Sequence, residues 1–331
     1  MLRFGVIGAG YFGRHYVRLL QEMPGAQLLA IADKSPIALE EAKHLLGPIV
    51  RMTTDPESII RDSKIDCVVI VAPPRMHYQL VRACLEAGKH VLVEKPMVCT
   101  LSEALELKEL VYRGHANFMV AHTFLYNDFV RRLRAEVQNG RLGKIFYTYL
   151  EWLNYGPIRQ DVSCLWDLGV HGLSMLEYVF QPRELSRVVG TGKKVEGALQ
   201  DDFLAVTLEF TSGLLATLIV SWYAPVKVRR MSIVGAEEMA LFDDLELSDK
   251  LTFFGKGCAP SEQAYEASVA SFMEDASRRT VTKITIPNVS QPLVNQLQHF
   301  MTSVQNGSKP LSDIEHGVKI TRCLDQISQV V

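Results

Sequence analysis

Gly8, Gly10 and Gly13 form a G-x-G-x-x-G run, with Tyr11 and Phe12 between the second and third glycines. In such a run the first glycine permits a tight turn, the second lets backbone approach a pyrophosphate, and the third lets a helix lie close to a strand. The N-terminus of that helix offers unpaired N–H groups and a positive dipole end to the anion. Asp33 follows Gly13 by twenty residues, where a carboxylate can accept hydrogen bonds from both ribose hydroxyls. The same charge would repel a 2′-phosphate, which favours NAD. Lys34 beside it could pair with that phosphate and keeps NADP open.

Further along, Glu94-Lys95-Pro96 and the pair Asp167 and His171 supply groups able to handle a proton and a developing alkoxide. Oxidising a secondary alcohol sends hydride to a nicotinamide while the hydroxyl proton goes to a base within hydrogen-bond reach of the same oxygen. An imidazole, titrating near ~6.5 when unperturbed, suits His171 to that task. Asp167 lies four residues earlier and would share its helix face. Lys95 could stabilise the oxyanion as a cation or take the proton as a free amine, and the choice between Lys95 and His171 stays open. Arg159, in a loop over residues 154–161, has the fork geometry to clamp a carboxylate or diphosphate. His122 and Tyr126 could line the same substrate pocket. The six cysteines show no C-x-x-C pair or spacing with histidine that suggests a metal, so no metal site is expected.

These residues must be held by a scaffold, and the apolar pattern indicates one. Short runs over 2–7, 27–32, 67–71, 90–93 and 118–121 read as strands, separated by helical periodicity over 11–23, 36–46, 76–87 and 101–113. This is the rhythm of a parallel sheet with crossover helices. After about residue 123 the texture changes to alternating strands over 144–154, 202–210, 214–222 and 230–234, with helices over 166–180, 292–305 and 314–329. The expected division is a dinucleotide-binding domain over 1–122 and a substrate-binding and oligomerisation domain over 123–331. The first fits a doubly wound Rossmann fold, the second an α/β domain with a largely antiparallel sheet.

Taken together, the fingerprint, Ala72-Pro73-Pro74 leading to His77, Glu94-Lys95-Pro96 and Trp166-Asp167-Leu168-Gly169-Val170-His171 resemble the Gfo/Idh/MocA family of oxidoreductases. The resemblance spans essentially the whole chain and implies a Rossmann domain followed by an α/β domain with an open-faced sheet. It implies that Lys95 stands near the nicotinamide and the reacting hydroxyl, and that Asp167 and His171 face the cofactor from the second domain. Gly8, Gly10, Tyr11, Phe12, Gly13, Asp33, Lys34, Ala72, Pro73, His77, Glu94 and Lys95 are the implied cofactor contacts. Lys95, His122, Tyr126, Arg159, Asp167 and His171 are the implied substrate contacts. The chain departs from the common family pattern: Ala72 and Pro74 replace a threonine and an asparagine, and Ser174 stands where many members carry a carboxylate. A family variant with R-x-D before W-D-L and a histidine is similar to Arg159, Asp161, Trp166 and His171 and often accompanies nucleotide-sugar chemistry.

The implied activity is NAD(P)-dependent oxidation of a CH–OH group, or reduction of the ketone, on a sugar, cyclitol or nucleotide-linked sugar. Alternatives are a reductase for another small carbonyl compound or a dihydrodiol dehydrogenase, and an inactive dinucleotide-binding regulator. A formal charge of -2 with mixed signs argues against a nucleic-acid or membrane partner. The absence of a signal-like start and of a bilayer-length apolar run gives a cytoplasmic expectation. Apolar residues on both faces of 203–210 lead to the expectation of a homodimer or homotetramer formed through the sheet.

Overall fold

The structure is a computed structural model that describes residues 1–45, 49–195, 200–255 and 280–331. They form two compact units: Met1–Thr123 with Gln291–Asp325, and Phe124–Ser290 with Gln326–Val331.

The first unit is built on six parallel strands, β1 (Leu2–Ile7), β2 (Ala26–Ala32), β3 (Arg51–Thr53), β4 (Cys67–Ile70), β5 (His90–Val93) and β6 (Phe118–Val120). Their order is β3-β2-β1-β4-β5-β6, the doubly wound arrangement of dinucleotide-binding folds. Central strands of such a sheet are covered on both faces and must be apolar throughout. Accordingly β4 and β6 are buried at every position, and β1 and β5 are buried at most. The crossover helices are α1 (Tyr11–Glu22), α2 (Pro36–Ala42), α3 (Glu57–Ile60), α4 (Pro74–Glu86) and α5 (Leu101–Arg113). Thr100 and Glu103 close a reciprocal capping box at the start of α5, which satisfies two backbone donors that the helix leaves over. The pattern reading missed β3 and α3. Strand β3 is a three-residue edge that pairs only with β2 and exposes two of its side chains, so it needs no apolar run.

The boundary expected at residue 122 needs correction at the other end of the chain. Helices α8 (Pro292–Asn306) and most of α9 (Ile314–Ser328) belong with the first unit, not the second. Phe300 is fully buried against Phe4 of β1, with ring centroids 6.4 Å apart. Ile314 and Val318 join the core around β5 and β6. Ser312 and Val120 exchange two hydrogen bonds, at 2.9 and 2.6 Å. Chain order gave no hint of this return, because helix periodicity states which face is apolar but not which sheet covers it.

The second unit carries an eight-stranded sheet among the described residues, in the order β14-β13-β12-β11-β7-β10-β9-β8. Its strands are β7 (Ile145–Tyr155), β8 (Leu185–Lys193), β9 (Phe203–Phe210), β10 (Leu215–Ser221), β11 (Tyr223–Gly235), β12 (Glu238–Asp243), β13 (Leu251–Gly255) and β14 (Val281–Ile284). Pairing is antiparallel except between β7 and β10. Strand β9 shows the alternation clearly: Leu204, Val206, Leu208 and Phe210 are buried, and the residues between them are half-buried. Helices α6 (Asp128–Gln138) and α7 (Val170–Phe180) contribute buried residues to this unit. Among the described residues no helix is long and apolar enough to cross a membrane, and no group of His, Cys, Asp and Glu is placed to hold a metal ion. Cys67, Cys84 and Cys164 are buried free thiols, and Cys258 lies outside the described residues.

If α8 completes the core of the first unit, Phe300→Ala leaves a cavity against Phe4 and lowers stability by about 3–5 kcal/mol. A thermal or urea midpoint equal to that of the parent protein would reject this placement.

Candidate active site

Parallel strands place all their carboxyl ends at one edge, and the loops leaving that edge hold the residues singled out in the first half of the sequence. Gly8, directly after β1, has φ +109°, a region that favours glycine. A Cβ on Gly13 would lie 2.0 Å from the Gly8 carbonyl oxygen, so the first turn of α1 rests on the loop it leaves. Gly10 is the N-cap of α1 and has no side-chain cap, and a Cβ there would meet nothing within 4 Å. The α1 N–H groups therefore open onto clear space, as an approaching pyrophosphate requires. Asp33 ends the turn after β2, where Oδ2 accepts from the Ala9 N–H at 2.7 Å and Oδ1 from the Ser35 N–H at 2.8 Å. Each oxygen keeps another lone pair for a ribose hydroxyl. The glycine loop, the uncapped helix end and the fixed carboxylate fit a dinucleotide. Lys34 is exposed beside them. Tyr11 and Phe12 are both exposed and stand edge-on to His15, with centroids 5.2 and 5.8 Å away.

The loops after β4 and β5 are tied together by His77. Its ring is fully buried, with Nε2 2.8 Å from the Ala72 carbonyl oxygen and Nδ1 2.8 Å from that of Pro96. Carbonyl oxygens only accept, so a neutral ring donates to one of them and only the imidazolium donates to both. Pro73 is the N-cap of α4. Glu94 turns inward: Oε1 accepts from the Tyr16 hydroxyl at 2.8 Å and Oε2 from the Lys95 N–H at 3.1 Å. Burial raises the Glu94 carboxyl above its ordinary range, opposed by the charge of Lys95 and by these two hydrogen bonds. Burial and the neighbouring Glu94 push the Tyr16 phenol well up. Lys95 itself is half-buried at the end of β5. His122, just past β6, is buried with its ring edge-on to His316 at 5.1 Å. Burial, helped by the charge of Lys319, lowers the His316 pKa to about 3.

In the second unit, Asp167 lies in a π-helical turn, Leu165–Gly169, and His171 in the first turn of α7 that continues it. The helix expected over 166–180 thus opens on a wider turn, which alters the four-residue spacing between the two side chains. Asp167 Oδ2 accepts from the Trp222 indole N–H at 3.2 Å. Phe124 stands edge-on to the His171 ring at 5.3 Å and to Trp152 at 5.7 Å. Glycines seat the helix: a Cβ on Gly169 or Gly172 would press into Leu165 and Leu218 at 2.9 to 3.0 Å. Ser174 is buried, and its hydroxyl donates to the His171 carbonyl oxygen, so it is spent within the helix. Tyr126 is fully buried with the Arg131 guanidinium over its ring. Arg159 directs its fork at Asp161, with bonds of 3.0 and 2.8 Å; an incoming anion would compete with that carboxylate. Trp166 donates its indole N–H to Ser328 at 3.0 Å.

Sequence reasoning passed over Tyr16, Gln296 and Trp222. A tyrosine on the apolar face of α1 signals a hydroxyl in need of a partner, but nothing local announces Gln296, which arrives from a distant helix.

The strand order, glycine loop and acidic end of β2 define an NAD-binding Rossmann protein. Residues 2–122 match the family described as "Oxidoreductase family, NAD-binding Rossmann fold", and residues 130–241 match the "GFO/IDH/MocA C-terminal domain". The chain belongs to the Gfo/Idh/MocA family of NAD-dependent oxidoreductases. It is similar to the myo-inositol 2-dehydrogenase of Thermotoga maritima, 24% identical over 96% of this chain and 92% of that protein. Its fold is similar to levoglucosan dehydrogenase in complex with NADH and levoglucosan, with TM-score 0.85, 20% identity and coverage of 99% and 96%. It is also similar in fold to UDP-N-acetylglucosamine 3-dehydrogenase from Acidithiobacillus ferrooxidans, with TM-score 0.80, 20% identity and coverage of 100% and 97%.

A methyl group placed on Gly13 must push α1 off the Gly8 carbonyl. Gly13→Ala is expected to weaken NADH binding by roughly tenfold or more, since 1.4 kcal/mol of lost contact suffices. Fluorescence titration measures it, and an unchanged Kd would show that the close packing is not needed.

Proposed function

We propose that this protein is an NAD(P)-dependent dehydrogenase acting on a secondary hydroxyl of a sugar or cyclitol, free or nucleotide-linked, or reducing the matching ketone. The observation that carries the reading is Lys95 at the carboxyl edge of β5, the same edge that holds the glycine loop and Asp33. The named activities of the relatives, on inositol, levoglucosan and UDP-N-acetylglucosamine, supply the substrate class.

The roles follow from the chemistry of each group. The N-terminus of α1 would hold the pyrophosphate, and Asp33 would accept hydrogen bonds from the ribose hydroxyls, favouring NAD over NADP. The bound nicotinamide supplies the hydride acceptor. Lys95 is the candidate for stabilising the developing alkoxide, and either Lys95 or His171 for accepting the hydroxyl proton. The indole N–H of Trp222 donates to the Asp167 carboxylate and restricts its orientation.

Lys95→Met is expected to retain NADH binding while turnover of inositols, levoglucosan and nucleotide sugars collapses. Absorbance of reduced nicotinamide follows the reaction, and near-normal turnover would sink the assignment. The exposed or half-exposed apolar side chains along the second sheet, among them Phe146, Tyr147, Val189 and Leu215, support assembly into a homodimer or homotetramer. Light scattering is expected to give a multiple of 37.1 kDa, and a monomer at micromolar concentration would reject it.

A further inference from the structure

We infer that Glu94 is a positioning residue for Lys95, the end of a buried hydrogen-bond chain that begins at Thr123 and runs in one direction through Gln296 and Tyr16. This inference rests on the reading of Lys95 given above. Thr123 Oγ1 donates to Gln296 Oε1 at 2.9 Å, which turns the amide so that Nε2 donates to the Tyr16 hydroxyl oxygen at 2.9 Å. Tyr16 has a single proton. It goes to Glu94 Oε1 at 2.8 Å, and Oε2 is then the acceptor for the Lys95 N–H at 3.1 Å. Tyr16 and Gln296 have no exposed surface, and Glu94 retains 8%. The chain links α1, whose first turn is the glycine loop, with α8 and the Glu94-Lys95-Pro96 loop. The buried anchor therefore fixes the backbone from which the Lys95 side chain departs against the middle of α1 and against α8.

The direction of the chain explains why a carboxylate stands at position 94. Glu94 must accept at both ends. An amide accepts at one end and donates at the other, so it would oppose an N–H2 either to the Tyr16 proton or to the Lys95 N–H. A buried donor left without an acceptor is costly, and the loop would move to relieve it. Burial of the carboxyl is tolerated because two donors and the Lys95 charge offset it.

The same logic supplies the test, through Glu94→Gln, Gln296→Glu and the double variant. In the double variant the chain can reverse. The new amide at position 94 donates to the Tyr16 oxygen and accepts from the Lys95 N–H. Tyr16 donates to the new carboxylate at position 296, whose other oxygen accepts from Thr123, so every donor and acceptor is again satisfied. Two readouts are taken: the rate at which trinitrobenzenesulfonate modifies the Lys95 amine, by peptide mass spectrometry, and kcat with NADH Kd.

Each single variant is expected to change the Lys95 modification rate and to lower kcat by roughly ten- to a hundredfold, the scale of a small misplacement at a reacting group. The Kd for NADH should change far less, and the double variant should regain most of both losses. Tyr16→Phe keeps the ring and removes the link, and it should reproduce the single-variant signature should either of those fail to fold. An unaltered Lys95 modification rate in Glu94→Gln or Tyr16→Phe overturns the inference, as does a double variant no better than the worse single. The modification rate reports on placement whatever Lys95 does in turnover. Active Lys95→Met would therefore reject the catalytic reading and leave this test standing.

Discussion

The arrangement of the first unit depends on strands that all run the same way. In a parallel sheet each strand delivers its following loop to the same edge, so the residues after β1, β2, β4 and β5 meet without being near in sequence. Gly8, Asp33, Ala72 and Lys95 are such residues. Close packing then removes their freedom. Gly13 lets α1 rest against the Gly8 carbonyl, and Asp33 clasps the backbone of the same loop from the neighbouring strand. An antiparallel sheet of similar composition would scatter these loops over two edges.

Polar groups in the interior are placed as economically as the glycines. Tyr16, Glu94 and Gln296 are buried among apolar neighbours, and each finds its partner in another of the three. His77 spans two loop carbonyls in the same way. Buried polar groups left unmatched would be costly. Matched, they fix the loops after β4 and β5 against helices that start elsewhere. The return of α8 to the first sheet is part of this design, since Gln296 travels with it. The second unit uses a different device, in which glycines at 169 and 172 let α7 approach Leu218, while the Trp222 indole holds Asp167.

Much was legible in the residues alone, and for identifiable reasons. Fully covered strands must be apolar along their length, so β1, β2, β4, β5 and β6 stood out. Strand β3 did not, because an edge strand can expose its side chains. The fingerprint and the acidic end of β2 were readable because their spacing is set by local geometry, one turn and one crossover. In the second half, alternation disclosed β7, β9, β10 and part of β11. Strand β8 has several exposed positions and escaped notice.

Sequence by itself determined the class of fold, the dinucleotide loop, the acidic residue after β2, and the family whose motifs recur through the chain. These are properties of neighbouring residues, and local sterics and hydrogen bonding fix them. Only the tertiary structure decided which sheet α8 and α9 complete, that Glu94 faces Tyr16, that Tyr126 is buried, and that the Arg159 fork is engaged by Asp161. Each of these depends on which apolar face covers which, and on the partner left for a buried polar group once that choice is made. Such choices are settled by burial across the whole unit, and spacing along the chain carries no record of them.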